Sequence, residues 1–187
     1  DLVRSRGLGD VYKRQVYDAL AAFAVGYEMR MEPQKIAAGL KSFVPSGMRQ
    51  RIKKVGGITV IEDCYNASPD SQKAALDVLS SFKSNRRIAV LGDMLELGKY
   101  SDVSHENVGK YTENKNIDIL FTYGEKAKHI AEGAKGFVDE IKSFDDKTEL
   151  VKALLETLKD GDAVLFKASR GMKLEDVINS LYREWEE

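Results

Sequence analysis

Three polar clusters in the sequence carry residue types that could bind a charged ligand. The first is the segment EDCYNASPDS, residues 62–71, which places an acid, an aromatic ring and an amide at Asp63, Tyr65 and Asn66. Together these groups could hold a ribose hydroxyl and a purine, because they combine hydrogen-bonding oxygens with a stacking surface. The Ser-Pro pair of the segment is typical of a helix start. A turn that only caps a helix is therefore the alternative interpretation.

The second cluster is the segment LGDMLELG, residues 91–98. Its two acids, Asp93 and Glu96, stand between two glycines on a predicted strand-to-helix loop, where they could bind cations or ammonium groups. A polar loop with turn glycines is the alternative. His105 follows near the start of the next predicted helix, and we expect it to be a capping or surface residue.

The third cluster is the segment FKASRGM, residues 166–172. Lys167, Ser169 and Arg170 precede a predicted helix, a pattern that suits a carboxylate or a phosphate group. A basic loop without a ligand explains the same residues. A further cation, Arg49, follows Gly47 at a predicted hinge and could reach a phosphate held on a neighbouring domain. Taken by itself, Arg49 is equally well explained as a surface charge.

The elements that position these clusters alternate between strands and helices. A hairpin is predicted at 49–55 and 58–61, around Gly56 and Gly57. The remaining strands are predicted at 87–91, 117–122, near 136–138 and at 163–166, and the helices at 69–82, 104–112, 125–133, 147–158 and 172–185. This order predicts an α/β, Rossmann-like domain with a mostly parallel sheet, helices on both faces and an opening β-hairpin. Ligands of such sheets bind beyond the carboxyl ends of the strands, where the clusters lie.

The N-terminal quarter of the chain has a different pattern. Residues 16–26 are alanine-rich and predict a packed helix, and residues 34–40 predict a second helix with Pro33 in its first turn. The segment VPSG at 44–47 is the candidate domain boundary, which separates a helical unit at 16–45 from a domain at 46–187. Residues 5–15 resemble the in-frame translation of a transposon-type sequencing adaptor, so we expect residues 1–15 to be a disordered scar. A genuine basic arm is the alternative.

The composition excludes several classes of partner. Lys and Arg total 29 against 30 Asp and Glu, which gives no reason to expect nucleic acid or an anionic membrane as a ligand. No apolar run approaches the roughly 20 residues that cross a bilayer. Cys64 is the single cysteine, so no intrachain disulfide can form and a reducing compartment fits. We find no Gly-rich phosphate loop, no metal-ligand spacing and no self-sufficient catalytic centre.

The ordered clusters resemble the MurF branch of the Mur ligases. The segment VYDALAA at 16–22 is similar to the helix that ends the family's central ATPase domain, and GMR at 47–49 to the start of its C-terminal domain. The segments DCYNASP at 63–69 and LGDMLELG at 91–98 match the MurF motifs. The segment KASRGM at 167–172 is similar to the last family motif, with Ala168 where glycine is usual. The resemblance covers about residues 16–187.

The resemblance implies specific roles for the candidate residues. It implies that Arg49 contacts the phosphates of ATP across a domain cleft and that Asp63 binds the ribose. Tyr65 and Asn66 would lie beside the nucleotide. The side that receives an incoming dipeptide would be lined by the remaining candidates, namely Asp93, Glu96, Lys167, Ser169 and Arg170.

The resemblance also implies an activity. A MurF-type ligase joins D-alanyl-D-alanine to UDP-N-acetylmuramoyl-tripeptide through an acyl phosphate, using ATP and Mg²⁺, in the cytoplasmic synthesis of peptidoglycan precursors. We expect ATP and Mg²⁺ to be bound mainly by an upstream domain that this chain lacks, so the chain would be a fragment that is inactive alone. We also expect it to be a monomer. The alternatives are another Mur-type or folylpolyglutamate-synthase-like ligase and a non-catalytic nucleotide-binding module.

Overall fold

A six-stranded sheet organises the C-terminal three quarters of the chain. The computed structural model describes residues 8–43 and 47–186. The strands are β1 Arg51–Val55, β2 Ile58–Glu62, β3 Arg87–Gly92, β4 Ile119–Tyr123, β5 Glu140–Phe144 and β6 Ala163–Lys167. Their order in the sheet is β1-β2-β6-β3-β4-β5, with β1 antiparallel to β2 and every other pair parallel. The predicted mostly parallel sheet that opens with a hairpin is confirmed.

Seven α-helices accompany the strands in the described residues. They are α1 Leu8–Glu28, α2 Pro33–Ser42, α3 Pro69–Ser81, α4 Ser101–Lys110, α5 Lys128–Ala134, α6 Lys147–Thr157 and α7 Glu175–Glu186. Alternate residues of the strands point to opposite faces of the sheet. One face packs against α3, α4 and α5, and the other against α6 and α7. Helices on both faces are thus confirmed.

The central strands β3 and β6 are apolar along almost their whole length because both of their faces are covered. Residues 88–92 and 163–167 are buried without alternation, as expected for parallel strands between two helical layers. The edge strand β1 instead carries Arg51, Lys53 and Lys54. Charged side chains on an edge strand discourage pairing with another sheet.

The hairpin turn and the start of the first sheet helix lie where the sequence predicts, although the first hairpin strand begins at residue 51 instead of residue 49. Gly56 and Gly57 have φ values of +54° and +76°, the left-handed conformation that a tight two-residue turn between twisted strands requires. Ser68 is the N-cap of α3, and its side chain accepts the backbone N–H of Ser71. Pro69 occupies the first helical position.

Several boundaries differ from the prediction. The fifth strand lies at 140–144 and not near 136–138. Gly136, with φ +83°, turns the chain there, and β5 is a half-exposed edge strand whose apolar signal is weak. Helix α4 begins at residue 101 instead of 104. Helix α7 begins at residue 175, because residues 170–172 form a 3-10 turn that Lys173 ends at φ +49°.

Helix α1 extends further towards the N-terminus than expected. It begins at Leu8, whereas the sequence predicted a start at residue 16 and disorder before it. The segment DVYKRQ contains no proline or glycine, and a helix already nucleated at 16–28 can propagate through it at little cost. Residues 1–7 and the predicted boundary at 45/46 lie outside the described residues. Helices α1 and α2 pack together, with Gly26 against Ile36.

Candidate functional site

The sheet order brings the first and third clusters together. Strand β6 lies between β2 and β3, so Lys167 at its end faces the loop that follows β2. The Lys167 ammonium lies 2.8 Å from a carboxylate oxygen of Asp63 and donates to the backbone carbonyl of Asn66 at 3.0 Å. The side chains of Lys167 and Asp63 are only 3% and 11% exposed. This pair ties two loops together at the carboxyl edge of the sheet.

Burial and hydrogen bonding oppose each other at Asp63. Removal from water raises the pKa of the Asp63 carboxyl above its ordinary value, and the nearby Lys167 ammonium offsets part of that rise. The backbone N–H of Gln50 also donates to the carboxylate, at 3.3 Å. Gln50 follows Arg49, so the same carboxylate holds the segment that carries Arg49 close to the site.

Two guanidinium groups flank one exposed aromatic ring. The Arg49 guanidinium lies 4.0 Å from the centroid of the Tyr65 ring, and that of Arg170 lies 5.9 Å from it. The Tyr65 side chain is exposed, and Arg170 also pairs with Glu175 at 2.9 Å. Asn66 uses its side-chain oxygen to accept the next backbone N–H, that of Ala67. The result is a positively charged, aromatic surface beside the buried Asp63.

The second and third clusters are joined by Ser169. Its backbone N–H donates to the carbonyl of Asp93 at 3.0 Å, and its hydroxyl oxygen accepts the N–H of Leu95 at 2.9 Å. Gln72 of α3 donates to the carbonyl of Gly92 at 2.9 Å. Gln72 is fully buried, and its position within a helix gave no signal from which sequence reasoning could have found it.

The two acids of the second cluster separate in the structure. The Asp93 carboxylate is buried and accepts the N–H of Ala127 at 2.6 Å. Ala127 lies between β4 and α5. A Cβ at Gly124 would lie 2.6 Å from that carboxylate, so glycine is required there. Glu96 is exposed and has a φ of +68°. Within residues 47–186, no hydrogen bond or ion pair joins Glu96 to the other candidates.

His105 is buried, and the expectation of a surface or capping residue is wrong. Its side chain has no exposed area. Nε2 accepts the backbone N–H of Met94 at 2.9 Å, and Nδ1 lies 2.7 Å from the carbonyl oxygen of Ser101. Burial lowers the pKa of the imidazole below its ordinary value. The amphipathic position of His105 on α4 was the signal that could have predicted its burial.

Comparison with known proteins decides the family. Residues 48–170 match the family model described as "Mur ligase, glutamate ligase domain". The chain belongs to the Mur ligase family. It is 42% identical over 173 residues to the UDP-N-acetylmuramoyl-tripeptide–D-alanyl-D-alanine ligase of Bacillus subtilis strain 168. The matched region covers 90% of this chain and 38% of that protein. It is 36% identical over 167 residues to the ligase of the same name from Synechocystis, covering 88% of this chain and 36% of the relative.

Solved structures of Mur ligases share the fold. A MurF structure from Acinetobacter baumannii superposes with a TM-score of 0.80 at 27% identity, covering 88% of this chain and 37% of that one. MurF from Thermotoga maritima in complex with ADP gives a TM-score of 0.71 at 27% identity, covering 87% of this chain and 36% of that one. This Mur ligase chain therefore spans well under half the length of the relatives that it matches.

The site of this Mur ligase chain suits an anionic ligand. Arg49 and Arg170 present guanidinium groups, which pair well with phosphate or carboxylate oxygens. The described residues contain no group of three His, Cys, Asp or Glu side chains that could hold a metal ion. No helix among them has the length and apolar character needed to cross a membrane.

Proposed function

We propose that this chain is the C-terminal part of a ligase that uses ATP to join D-alanyl-D-alanine to UDP-N-acetylmuramoyl-tripeptide. The names of the relatives support this function, and so does one structural observation. Lys167, the last residue of β6, bonds to Asp63, and Ser169, two residues further on, bonds to the loop of Asp93 and Leu95. One short segment thus joins a candidate nucleotide site to a candidate dipeptide site.

The nucleotide side comprises Arg49, Asp63, Tyr65 and Asn66. Arg49 is always charged and lies against the Tyr65 ring, so it would contact the phosphates of ATP with little loss of side-chain freedom. Asp63 would accept a ribose hydroxyl, since Lys167 and Gln50 hold its carboxylate in place. Tyr65 would lie beside the base, and Asn66 would shape the turn that carries it. The ADP complex of the Thermotoga relative supports nucleotide binding in the family.

The dipeptide side divides into contacting and supporting residues. Arg170 and Glu96 are exposed, so they can pair with the carboxylate and the ammonium group of the dipeptide. Asp93, Lys167 and Ser169 are buried and would keep the two loops in register. These residues orient the amine towards the acyl donor, and orientation of this kind contributes strongly to rate.

ATP would supply the phosphoryl group that converts the tripeptide carboxylate into an acyl phosphate. The dipeptide amine would then form the amide bond as phosphate leaves. Mg²⁺ would neutralise phosphate charge when bound, and we propose that it is held mainly by the upstream part of the protein. We further propose that the protein is a cytoplasmic monomer.

The proposal is tested by restoring the upstream sequence and measuring phosphate release from ATP. We expect release that depends on both the tripeptide substrate and D-alanyl-D-alanine, and none from the 187-residue chain alone. Replacing Arg49 by Ala should lower kcat/KM at least about tenfold through loss of a phosphate contact. The matched control is Arg51→Ala, which removes an exposed cation of β1.

Other outcomes would replace the proposal. A preference for a single amino acid over the dipeptide would indicate another Mur-type or folylpolyglutamate-synthase-like ligase. Nucleotide binding without ligation by the restored protein would indicate a non-catalytic module. Ligation by the 187-residue chain alone would contradict the assignment of phosphoryl transfer to the upstream part.

A further inference from the structure

The loop of the second cluster is held by three consecutive backbone N–H groups. The amide of Asp93 donates to the carbonyl of Tyr123 at 3.2 Å, and that of Leu95 donates to the hydroxyl of Ser169 at 2.9 Å. Between them, the amide of Met94 donates to Nε2 of His105 at 2.9 Å. The three acceptors belong to three different elements. Of the three, only the imidazole changes charge near neutral pH.

The partners of His105 determine which of its nitrogens carries the proton. A carbonyl oxygen can only accept, so Nδ1, 2.7 Å from the carbonyl of Ser101, must be the donor. Nε2 then keeps its lone pair for the N–H of Met94. A second proton on Nε2 would face that N–H group, and the bond that fixes the loop would be lost. The neutral ring alone satisfies both partners.

The charged surroundings of His105 come from three segments. Asp93 lies on the loop itself, Asp102 on the same helix and His129 on α5. Asp102 is exposed and already pairs with Lys126 at 2.9 Å. The two carboxylates favour a charged imidazole, but burial outweighs them and keeps the pKa of His105 below its ordinary value. His105 is therefore neutral at neutral pH and is expected to become charged in acid.

We propose that His105 is a positioning residue for dipeptide binding, acting through the N–H of Met94 on the loop that presents Leu95 and Glu96. This inference rests on the proposed function of the loop. The side chain of Met94 is buried in the core, and its amide is one of the three that anchor the loop beside the exposed Leu95 and Glu96. When His105 gains a proton, the loop loses this hydrogen bond, and its exposed residues Leu95 and Glu96 are held less firmly.

Two substitutions separate the two hydrogen bonds of the ring. In His105→Gln, the amide oxygen can reach the position of Nε2, so the variant can accept from Met94 without titrating. In His105→Asn, the shorter side chain can reach only the Ser101 side. D-alanyl-D-alanine would be titrated into the protein with its upstream sequence restored, at about pH 7 and about pH 5, between which the dipeptide stays mainly zwitterionic.

We expect the parent protein to bind the dipeptide more weakly at the lower pH, by no more than the roughly tenfold that loss of one hydrogen bond produces. The Gln variant should match the parent at neutral pH and lose the acid weakening. The Asn variant should bind about tenfold more weakly at both pH values. His129→Gln, which removes the other, half-exposed histidine, is the control and should keep the acid weakening.

Hydrogen exchange at the amides of Met94 and Leu95 gives a readout that does not need the dipeptide. Rates are corrected for the intrinsic pH dependence of exchange. At neutral pH, exchange should be faster in the Asn variant than in the parent. At the lower pH, exchange should become faster in the parent but not in the Gln variant. If no form binds the dipeptide while the exchange pattern holds, the proposed function of this side is wrong and the anchoring role of His105 stands. Unchanged exchange in the Asn variant, or acid weakening that persists in the Gln variant, would overturn the role of His105.

Discussion

At the scale of single residues, we expect loss of the Lys167–Asp63 ion pair to have the largest electrostatic effect on the free energy of unfolding. Replacing Lys167 by Met removes the cation that pairs with the Asp63 carboxylate and donates to the Asn66 carbonyl, and of the two donors described for Asp63 only the backbone N–H of Gln50 is kept. Because an uncompensated buried charge is costly, we expect the free energy of unfolding to fall by about 3–5 kcal/mol. Urea unfolding followed by circular dichroism measures this loss.

A double-mutant cycle distinguishes the pair from its separate members. Lys167→Met together with Asp63→Asn should recover part of the stability lost in the single Lys167 variant, because no buried carboxylate remains. Lys35→Met provides the surface control, since the Lys35–Glu32 pair is largely exposed. This change should cost less than about 1 kcal/mol. Equal losses at Lys167 and Lys35 would contradict the buried-pair interpretation.

Cys64 lies next to Asp63 but is expected to be chemically inert. Its thiol is fully buried and donates to the sulfur of Met48 at 3.2 Å. Burial, reinforced by the negative charges of Glu175, Glu62 and Asp63, raises its pKa to about 12. Since the thiolate is the reactive form, iodoacetamide at about pH 8 should not modify the native chain. The urea-unfolded chain should react with one equivalent of iodoacetamide. Rapid labelling of the native chain would instead show that the β2–α3 loop opens.

The residue types of the site could be predicted from sequence, but their pairings could not. The clusters around Asp63, Asp93 and Lys167 stand out because acids and cations directly follow apolar strands. That Lys167 meets Asp63 depends on β6 lying between β2 and β3. No local pattern encodes this insertion, because β6 comes last in the chain. The hydrogen-bond partners of His105 and Gln72 escaped prediction because they lie on other segments of the chain, which only the folded structure brings close.

At the scale of elements, the crossing of α4 and α5 depends on two glycines. A Cβ on Gly109 would overlap the backbone carbonyl of Ile130, and a Cβ on Gly133 would overlap that of Glu106. Backbone atoms cannot move aside as a flexible side chain can. We therefore expect Gly109→Ala to lower the free energy of unfolding by about 1–3 kcal/mol or more, as overpacking does elsewhere. Thermal unfolding would show a matching fall in Tm.

Gly39 of α2 provides the matched control. It lies inside a helix, and no atom would contact an added Cβ. Gly39→Ala should raise the free energy of unfolding of the α1–α2 pair by about 0.5–1 kcal/mol, because alanine loses less backbone entropy than glycine on folding. A similar response at both positions would show that helix propensity, and not the close crossing, governs Gly109.

Burial explains which elements the sequence predicts well. Strands β3, β4 and β6 are covered on both faces, and their continuous apolar runs gave boundaries within about two residues of the prediction. Strand β5 has one edge open and mixes exposed with half-buried residues, so its signal was displaced towards Val138. The predicted start of α7 was too early because Lys173 ends the preceding turn in the left-handed conformation. Lysine rarely adopts that conformation, so the sequence held no sign of the break.

At the scale of the whole molecule, helices α1 and α2 expose an unusual amount of apolar surface. The exposed large apolar side chains on these helices and at their ends are Val16, Tyr17, Leu20, Val25, Tyr27, Met29, Met31 and Phe43. So many exposed large apolar side chains on one pair of helices are uncommon on a free surface. The curated relatives match this chain over only 38% and 36% of their length. We therefore predict that the upstream part of the protein covers this face.

Hydrogen exchange tests this prediction directly. In the 187-residue chain, the amides of α1 and α2 should exchange much faster than those of β3 and β6, because few buried contacts oppose local opening. In a protein with the upstream sequence restored, the same helices should become protected while the central strands change little. Tyr17→Ser and Leu20→Ser should reduce that protection, whereas Leu155→Ser on the distant helix α6 should not. Protection of α1 and α2 that is equal in the two proteins would show that the helical pair stands by itself. In that case it would need no neighbour to bury its apolar face.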